Sequence, residues 1–360
     1  MADSPLPTSV RAANDGVRHR NYRERLQSNG IRMLRAHGKP PQPIQAILLD
    51  VLPVEPIAIT GRAEVTATRG LAISGADETQ VKRLFEPMIS DRIDTSRLKA
   101  PSNTPLDPLR VPNRHGQRRI VTPKPDIYLG YDHEHFEDGV QGLFKNVDTN
   151  VAKLAFLNVE LKGDGETSLG GLWVATNQCM GGASTFLNIL NKLQSTLLEH
   201  HLVEEANAFE PVIFSIASNG TEARLFATYS QSEGDFTTYF VRGFLLYDAL
   251  SRATLDVYIQ CIVDWGTNKR LQTIESALQA LHQSGVRGDS PAPPTISGNE
   301  ENEDLDNSET NQSYIGMSAC SMTHSHADED MAPEPRQRQS KKRTAETQPS
   351  PPKRRKPTGA

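Results

Sequence analysis

The sequence has little that would place it in a membrane or on a secretory route. No apolar run approaches the ~18 residues of a membrane-spanning helix, and the opening MADSPLPTSVRAAND has no apolar core of a signal peptide. Neither a transmembrane helix nor a secretory signal is predicted. Cysteine is scarce: Cys179, Cys261 and Cys320 are far apart and odd in number. They exclude a disulfide scaffold and show no zinc-ligand spacing, so a reducing compartment is the simplest expectation. A phosphate-cradling glycine loop, a dinucleotide fingerprint and internal repeats are also missing. Apolar residues make up only 36% of the 360, while prolines number 24, so part of the chain is predicted to stay outside any core.

The charge that is present is segregated. Residues 299–330 contain no lysine or arginine but nine acids, from Glu300 to Asp330. The sign then flips, with Lys341, Lys342 and Arg343 followed by Lys353, Arg354, Arg355 and Lys356. Such blocks predict a solvated, disordered tail over roughly 285–360. The two basic clusters and their spacer resemble a bipartite nuclear import signal, which predicts a nuclear protein and an import receptor as partner. Residues 288–360 hold 12 of the 44 acids and 9 of the 39 bases, so the remainder carries 32 and 30. A body this close to neutral is no general polyanion binder, and contact with nucleic acid has to be local.

Along the chain, residues 1–20 show no apolar period. A short helix is predicted over Tyr22–Ala36, ended by Pro40, Pro41 and Pro43. A second covers Asp77–Ser90, with Val81, Leu84, Phe85 and Met88 at helical spacing and Asp77 or Ser74 as cap. Residues 95–122 read as a loop. Strands follow at Asp126–Tyr131 and Leu154–Lys162, then a long helix from about Leu172 to His200, bent near Gly181–Gly182. Three more strands read at Pro211–Ala217, Ala223–Tyr229 and Thr237–Leu246, the first two joined by an Asn219–Gly220 turn. Helix is predicted from about Tyr247 to His282, broken near Gly266. The expected fold class is α/β: one mixed sheet with helices on its faces.

Two segments carry chemistry, PKPDIYLGY at 123–131 and FLNVELKGDG at 156–165. Alternation along a strand puts Asn158, Glu160 and Lys162 on one face and Leu157, Val159 and Leu161 on the other. Charged residues in an otherwise apolar strand are costly unless that face opens onto a cleft. Asp126 could meet Glu160 across the sheet. Two carboxylates beside a lysine suit one hard divalent cation and one activated water, the apparatus of phosphodiester hydrolysis. The competing reading is an ion pair of Glu160 with Lys162 at a strand edge, with Asp126 capping a turn.

These segments, with LWVATNQCMGGASTFLNIL at 172–190 and IVDWGTNKRLQTIESAL at 262–278, resemble the core of the PD-(D/E)XK nuclease superfamily, and within it a fungal nuclease-like branch of uncharacterised proteins. The resemblance spans roughly 76–282 and implies a restriction-endonuclease-like fold, a central mixed sheet flanked by helices. It implies Asp126 and Glu160 as metal-binding acids, the Leu161 backbone carbonyl as a further ligand, Lys162 as the lysine and Mg²⁺ or Mn²⁺ as cofactor. Gln178 matches a polar residue that faces such sites, with Asn177 its alternative. An acid on the first helix sometimes joins, for which Glu86 is the first candidate and Glu78 the second. The domain plan is then a disordered 1–20, an irregular extension over 21–75, the nuclease-like domain over 76–283 and the charged tail over 284–360.

The loop before Asp126 is basic, and Arg114, Arg118, Arg119 and Lys124 are its candidate phosphate contacts. Trp173 and Trp265 are expected in the core. Cys179 is expected to be a buried structural cysteine, because no partners of a cysteine nucleophile accompany it. Two function classes stay open: a nuclear, Mg²⁺-dependent nuclease acting on DNA before RNA, and a catalytically silent adaptor that uses the same fold to bind a protein or nucleic-acid partner.

Overall fold

Strand β4, Lys153–Leu161, is buried at all nine positions. The cause is its place in the sheet. It is bonded on one side to β3, Ile127–Tyr131, and on the other to β5, Val212–Ser218, while helices cover its faces. The computed structural model describes residues 16–35, 38–52, 75, 77–164 and 171–286. The predicted charged tail and import signal, and residues 1–15 and 53–74, lie outside the described residues.

In chain order the elements are α1 (Tyr22–Ser28), β1 (Ile31–Met33), α2 (Gln42–Val51), α3 (Glu78–Ser90), β2 (Leu98–Lys99), β3, two single-turn helices α4 (Asp138–Gln141) and α5 (Phe144–Val147), then β4. After these come α6 (Gly171–Glu199), α7 (Val203–Ala208), β5, β6 (Glu222–Ser232), β7 (Asp235–Leu245), α8 (Ala249–Trp265) and α9 (Leu271–Gln283). The seven strands form one mixed sheet in the order β1-β7-β6-β5-β4-β3-β2. The β4–β5 and β1–β7 pairs are parallel and the others antiparallel. Helix α6 is the long crossover that a parallel β4–β5 pair requires. It packs on one face, where Asn158 Nδ2 donates to the Cys179 carbonyl at 3.3 Å. The other face meets the α8 end, where the Trp265 ring stands edge-on to Phe214 and Phe156. No helix among the described residues is long and apolar enough to cross a membrane.

Several sequence expectations need correction. The helix at Tyr22 stops at Ser28, because Gly30 turns the chain at φ +82° and Ile31–Met33 pairs in parallel with β7. The extension therefore supplies an edge strand to the main sheet. Pro41 and Pro43 begin α2 instead of ending a helix, since a proline in the first turn forfeits no helical hydrogen bond. Asp77 caps α3 through a reciprocal box with Gln80. The loop over 95–122 contains β2 and a 3₁₀ turn at Pro108–Arg110. Helix α6 runs without a break through Gly181–Gly182. Gly182 is there for contact: a Cβ on it would lie 2.6 Å from Asn158 Nδ2. Trp265 is buried, but Trp173 is 41% exposed.

The predicted break at Gly266 is a π-helical turn, Gly266–Arg270, that joins α8 to α9. Gly266 has ordinary helical angles, φ −59° and ψ −42°, so its backbone does not call for glycine. Its surroundings do, because a Cβ there would stand 2.4 Å from the fully buried Phe156 ring. An exposed helical glycine changed to alanine gains about 1 kcal/mol. Here Gly266→Ala is expected to lose about 1–3 kcal/mol through overpacking, read as a lower urea midpoint at unchanged slope. A raised midpoint contradicts this packing.

Candidate active site

The register of the sheet brings the two acids together. Ile127 lies opposite Val159 in the antiparallel β3–β4 pair. One step on, Asp126 comes opposite Glu160. Asp126 Oδ2 accepts from the Leu161 backbone N–H at 2.7 Å and from Lys162 Nζ at 3.3 Å. The same ammonium donates to the Leu161 carbonyl at 2.8 Å and lies 3.6 Å from Glu78 Oε1. Lys162 thus pairs with Asp126 and Glu78, and Asp126 binds a backbone amide of β4 instead of capping a turn. Asp126, Glu160 and Lys162 are all buried.

Glu160 is the unusual member. It is fully buried, and neither carboxyl oxygen meets a hydrogen-bond donor. Its partner in β5 is Ala217, which packs with Ala175 and Cys179 of α6 and Phe226 of β6. Burial pushes its pKa well above the usual carboxylate range. The charge of Asp126 and the carboxyl–carboxyl contact raise it further, Glu78 adds to this, and Lys162 opposes. Two acids this close hold a proton between them, or they hold a cation. The Cys179 thiol is also pushed up, first by burial and then by Glu160 and Asp126, which disfavours the thiolate that a nucleophile needs.

Five buried polar atoms on β4 and α6 lack a partner: both Glu160 oxygens, Asn158 Oδ1, Asn177 Nδ2 and Gln178 Oε1. Gln178 lines a cavity of about 480 Å³ with Glu78, Lys162 and Val174. Asn177 is fully buried and accepts from Arg23 Nε at 2.6 Å. The two polar neighbours are thereby separated, Gln178 facing the cavity and Asn177 tied to α1. The acids of α3 separate too. Glu78 reaches Lys162, whereas Glu86 is half-exposed and pairs with Lys82 at 3.6 Å.

Of the basic loop, Arg114 is engaged with Asp235 at 2.9 Å and with the Gly234 carbonyl. Arg118 and Arg119 are exposed, with the Arg118 backbone carbonyl held by Asn29. Lys124 is exposed two residues before Asp126. The sequence reading missed the chain before α1: Gly16–His19 forms another wall of the cavity. Only the density of cationic residues in VRHRNYRER, 17–25, signalled it.

The donor set fits a hard divalent ion. Asp126, Glu160 and the Leu161 carbonyl offer oxygen only, and the unpartnered Glu160 oxygens call for positive charge. Among the described residues no group of three or more His, Cys, Asp or Glu side chains is gathered to hold a metal. The set is two carboxylates and a carbonyl, with Glu78 on the far side of Lys162.

Fold and site together define an α/β protein with a mixed sheet and a buried acid pair at the start of β3 and the end of β4. The chain matches a domain of unknown function (DUF7924) over residues 65–278, more than half its length, and belongs to that family. No curated protein and no solved structure matches it.

A carboxyl whose pKa is higher in the fold than in the unfolded chain binds its proton more tightly when folded. Stability then falls as pH rises from the ordinary carboxylate range towards the folded value. In metal-free buffer, Glu160→Gln is expected to exceed the wild type by about 1–3 kcal/mol at neutral pH, the cost of an unsatisfied buried polar group, and to converge on it near pH 4. Urea melts across that range read this out. Parallel curves at every pH contradict a strained Glu160.

Proposed function

We propose that this chain is a nuclear, Mg²⁺-dependent nuclease of restriction-endonuclease-like fold that hydrolyses phosphodiester bonds in DNA, with RNA the secondary substrate. The carrying observation is the orphaned, fully buried Glu160 carboxylate facing Asp126 with Lys162 alongside. The fold reading is supported by the sequence α3, antiparallel β2-β3-β4, crossover α6 and parallel β5, a mixed sheet with helices on both faces. The nuclear reading is supported by the basic clusters at 341–343 and 353–356.

Asp126, Glu160 and the Leu161 carbonyl would hold the cation. Once bound, Mg²⁺ supplies polarisation of the scissile phosphate and a lowered pKa for its water. The chain's own residues do the rest. Glu160, whose two oxygens meet no donor of the protein, would offer them to the cation. Lys162 lines the cavity, so its ammonium faces an incoming phosphodiester and offsets the charge that builds on phosphorus. Its contacts with Asp126 and Glu78 fix its direction. Gln178 lines the same cavity and would offer its side-chain amide to the attacking water. Lys124, and the exposed Arg118 and Arg119, lie on the chain leading into Asp126, where the flanking strand can be held by charge.

The full-length protein is expected to nick or cut plasmid DNA with Mg²⁺ or Mn²⁺, and Asp126→Ala or Lys162→Ala to lower the rate by at least about 100-fold. Cleavage that is metal-independent and equal in wild type and variants overturns the reading. Calorimetry separates the adaptor alternative: Mn²⁺ binding that vanishes in Glu160→Ala favours the enzyme, and a protein that binds no metal favours the adaptor.

A further inference from the structure

The chain before α1 lies outside the family match at 65–278, yet it is built into the site. Its backbone is folded into two successive turns: the His19 N–H donates to the Gly16 carbonyl at 2.8 Å, and the Tyr22 N–H to the His19 carbonyl at 2.9 Å. Anchors fix it at three points. Val17 packs against the core. Tyr22 is 2% exposed, with its hydroxyl beside Gly181 of α6. Arg23 binds Asn177, the neighbour of Gln178, at 2.6 Å.

Between the first two anchors stands Arg18. It is exposed and lines the same 480 Å³ cavity as Lys162 and Gln178. Among the described residues Arg18 has no ion-pair partner, in contrast to Lys162, which is engaged by Asp126 and Glu78. A guanidinium presented to a cavity without a carboxylate of its own is matched by an anion, and its planar fork suits two phosphate oxygens at once. The pinned backbone lowers the entropy lost when the side chain is engaged.

We propose that Arg18 binds a backbone phosphate of the DNA strand next to the scissile one, so that Gly16–Tyr22 and the start of α6 form two sides of a substrate channel. This rests on the nuclease reading and adds to it a binding residue that the family domain does not contain.

The test uses the full chain and a fluorescent 20-base-pair DNA duplex, with Ca²⁺ replacing Mg²⁺, and follows anisotropy over a salt series. Arg18→Ala is expected to weaken binding roughly tenfold and to reduce the slope of log affinity against log salt by about one, as loss of a single phosphate contact does. Arg18→Lys should keep the slope and recover part of the affinity. Lys192→Ala, ~21 Å along α6 from Gln178 at ~1.5 Å per residue, should match the wild type. Unchanged affinity in Arg18→Ala while the wild type binds and cuts DNA overturns this proposal alone. Weaker binding with an unchanged salt slope also overturns it, because that marks a structural role. A wild type that neither binds nor cuts DNA overturns both the proposal and the reading beneath it.

Discussion

A carboxylate with no hydrogen-bond donor, held in the middle of a sheet, is the constraint on which the rest of this structure turns. Glu160 sits on a strand that is bonded on both sides and covered by α6. Ionising it there is costly, so its pKa is held well above the usual carboxylate range. A glutamine would fill the same space without that cost. The chain instead places a second acid, Asp126, opposite the first and a lysine at the strand's end. Each choice alone is unfavourable; together they set two acids and an ammonium group side by side at the end of one strand.

The fold enforces this arrangement through backbone register. The Leu161 amide binds Asp126 across the β3–β4 gap, so a slip of one residue would turn Glu160 to the opposite face. Gly182 lets α6 approach Asn158 closely. One to two turns earlier on α6, Ala175 and Cys179 pack with Ala217, the β5 partner of Glu160. At the C-terminal end of β4 the wall opens, and the cavity with Gln178, Glu78 and Lys162 begins. Apolar packing and chemistry thus occupy successive residues of one strand.

The site's centre was legible in the sequence because strand alternation and the segments 123–131 and 156–165 constrain the same three residues. Its rim was less so. Glu78 and Glu86 both fit an acid on α3, and only the direction of that helix decides that its first turn meets Lys162. Gly181–Gly182 looked like a bend, since a sequence does not distinguish a glycine that frees the backbone from one that admits a neighbour. Strands β1 and β2, three and two residues long, are too short for a periodic signal, and their pairing comes from distant partners. Residues 16–22 carry no apolar period, so their anchoring by Val17 and Tyr22 could not be read. Trp173 shows the same limit: an apolar neighbourhood along the chain does not fix which side of a helix start faces water.

The most direct test of a cation-seeking acid pair is a crystal of the protein grown with Mn²⁺, with anomalous difference density collected at the manganese edge. One strong peak within ligand distance of the Asp126 and Glu160 carboxyl groups is expected. Density that leaves Glu160 without an ion, while Lys162 still spans Asp126 and the Leu161 carbonyl at saturating manganese, would contradict it.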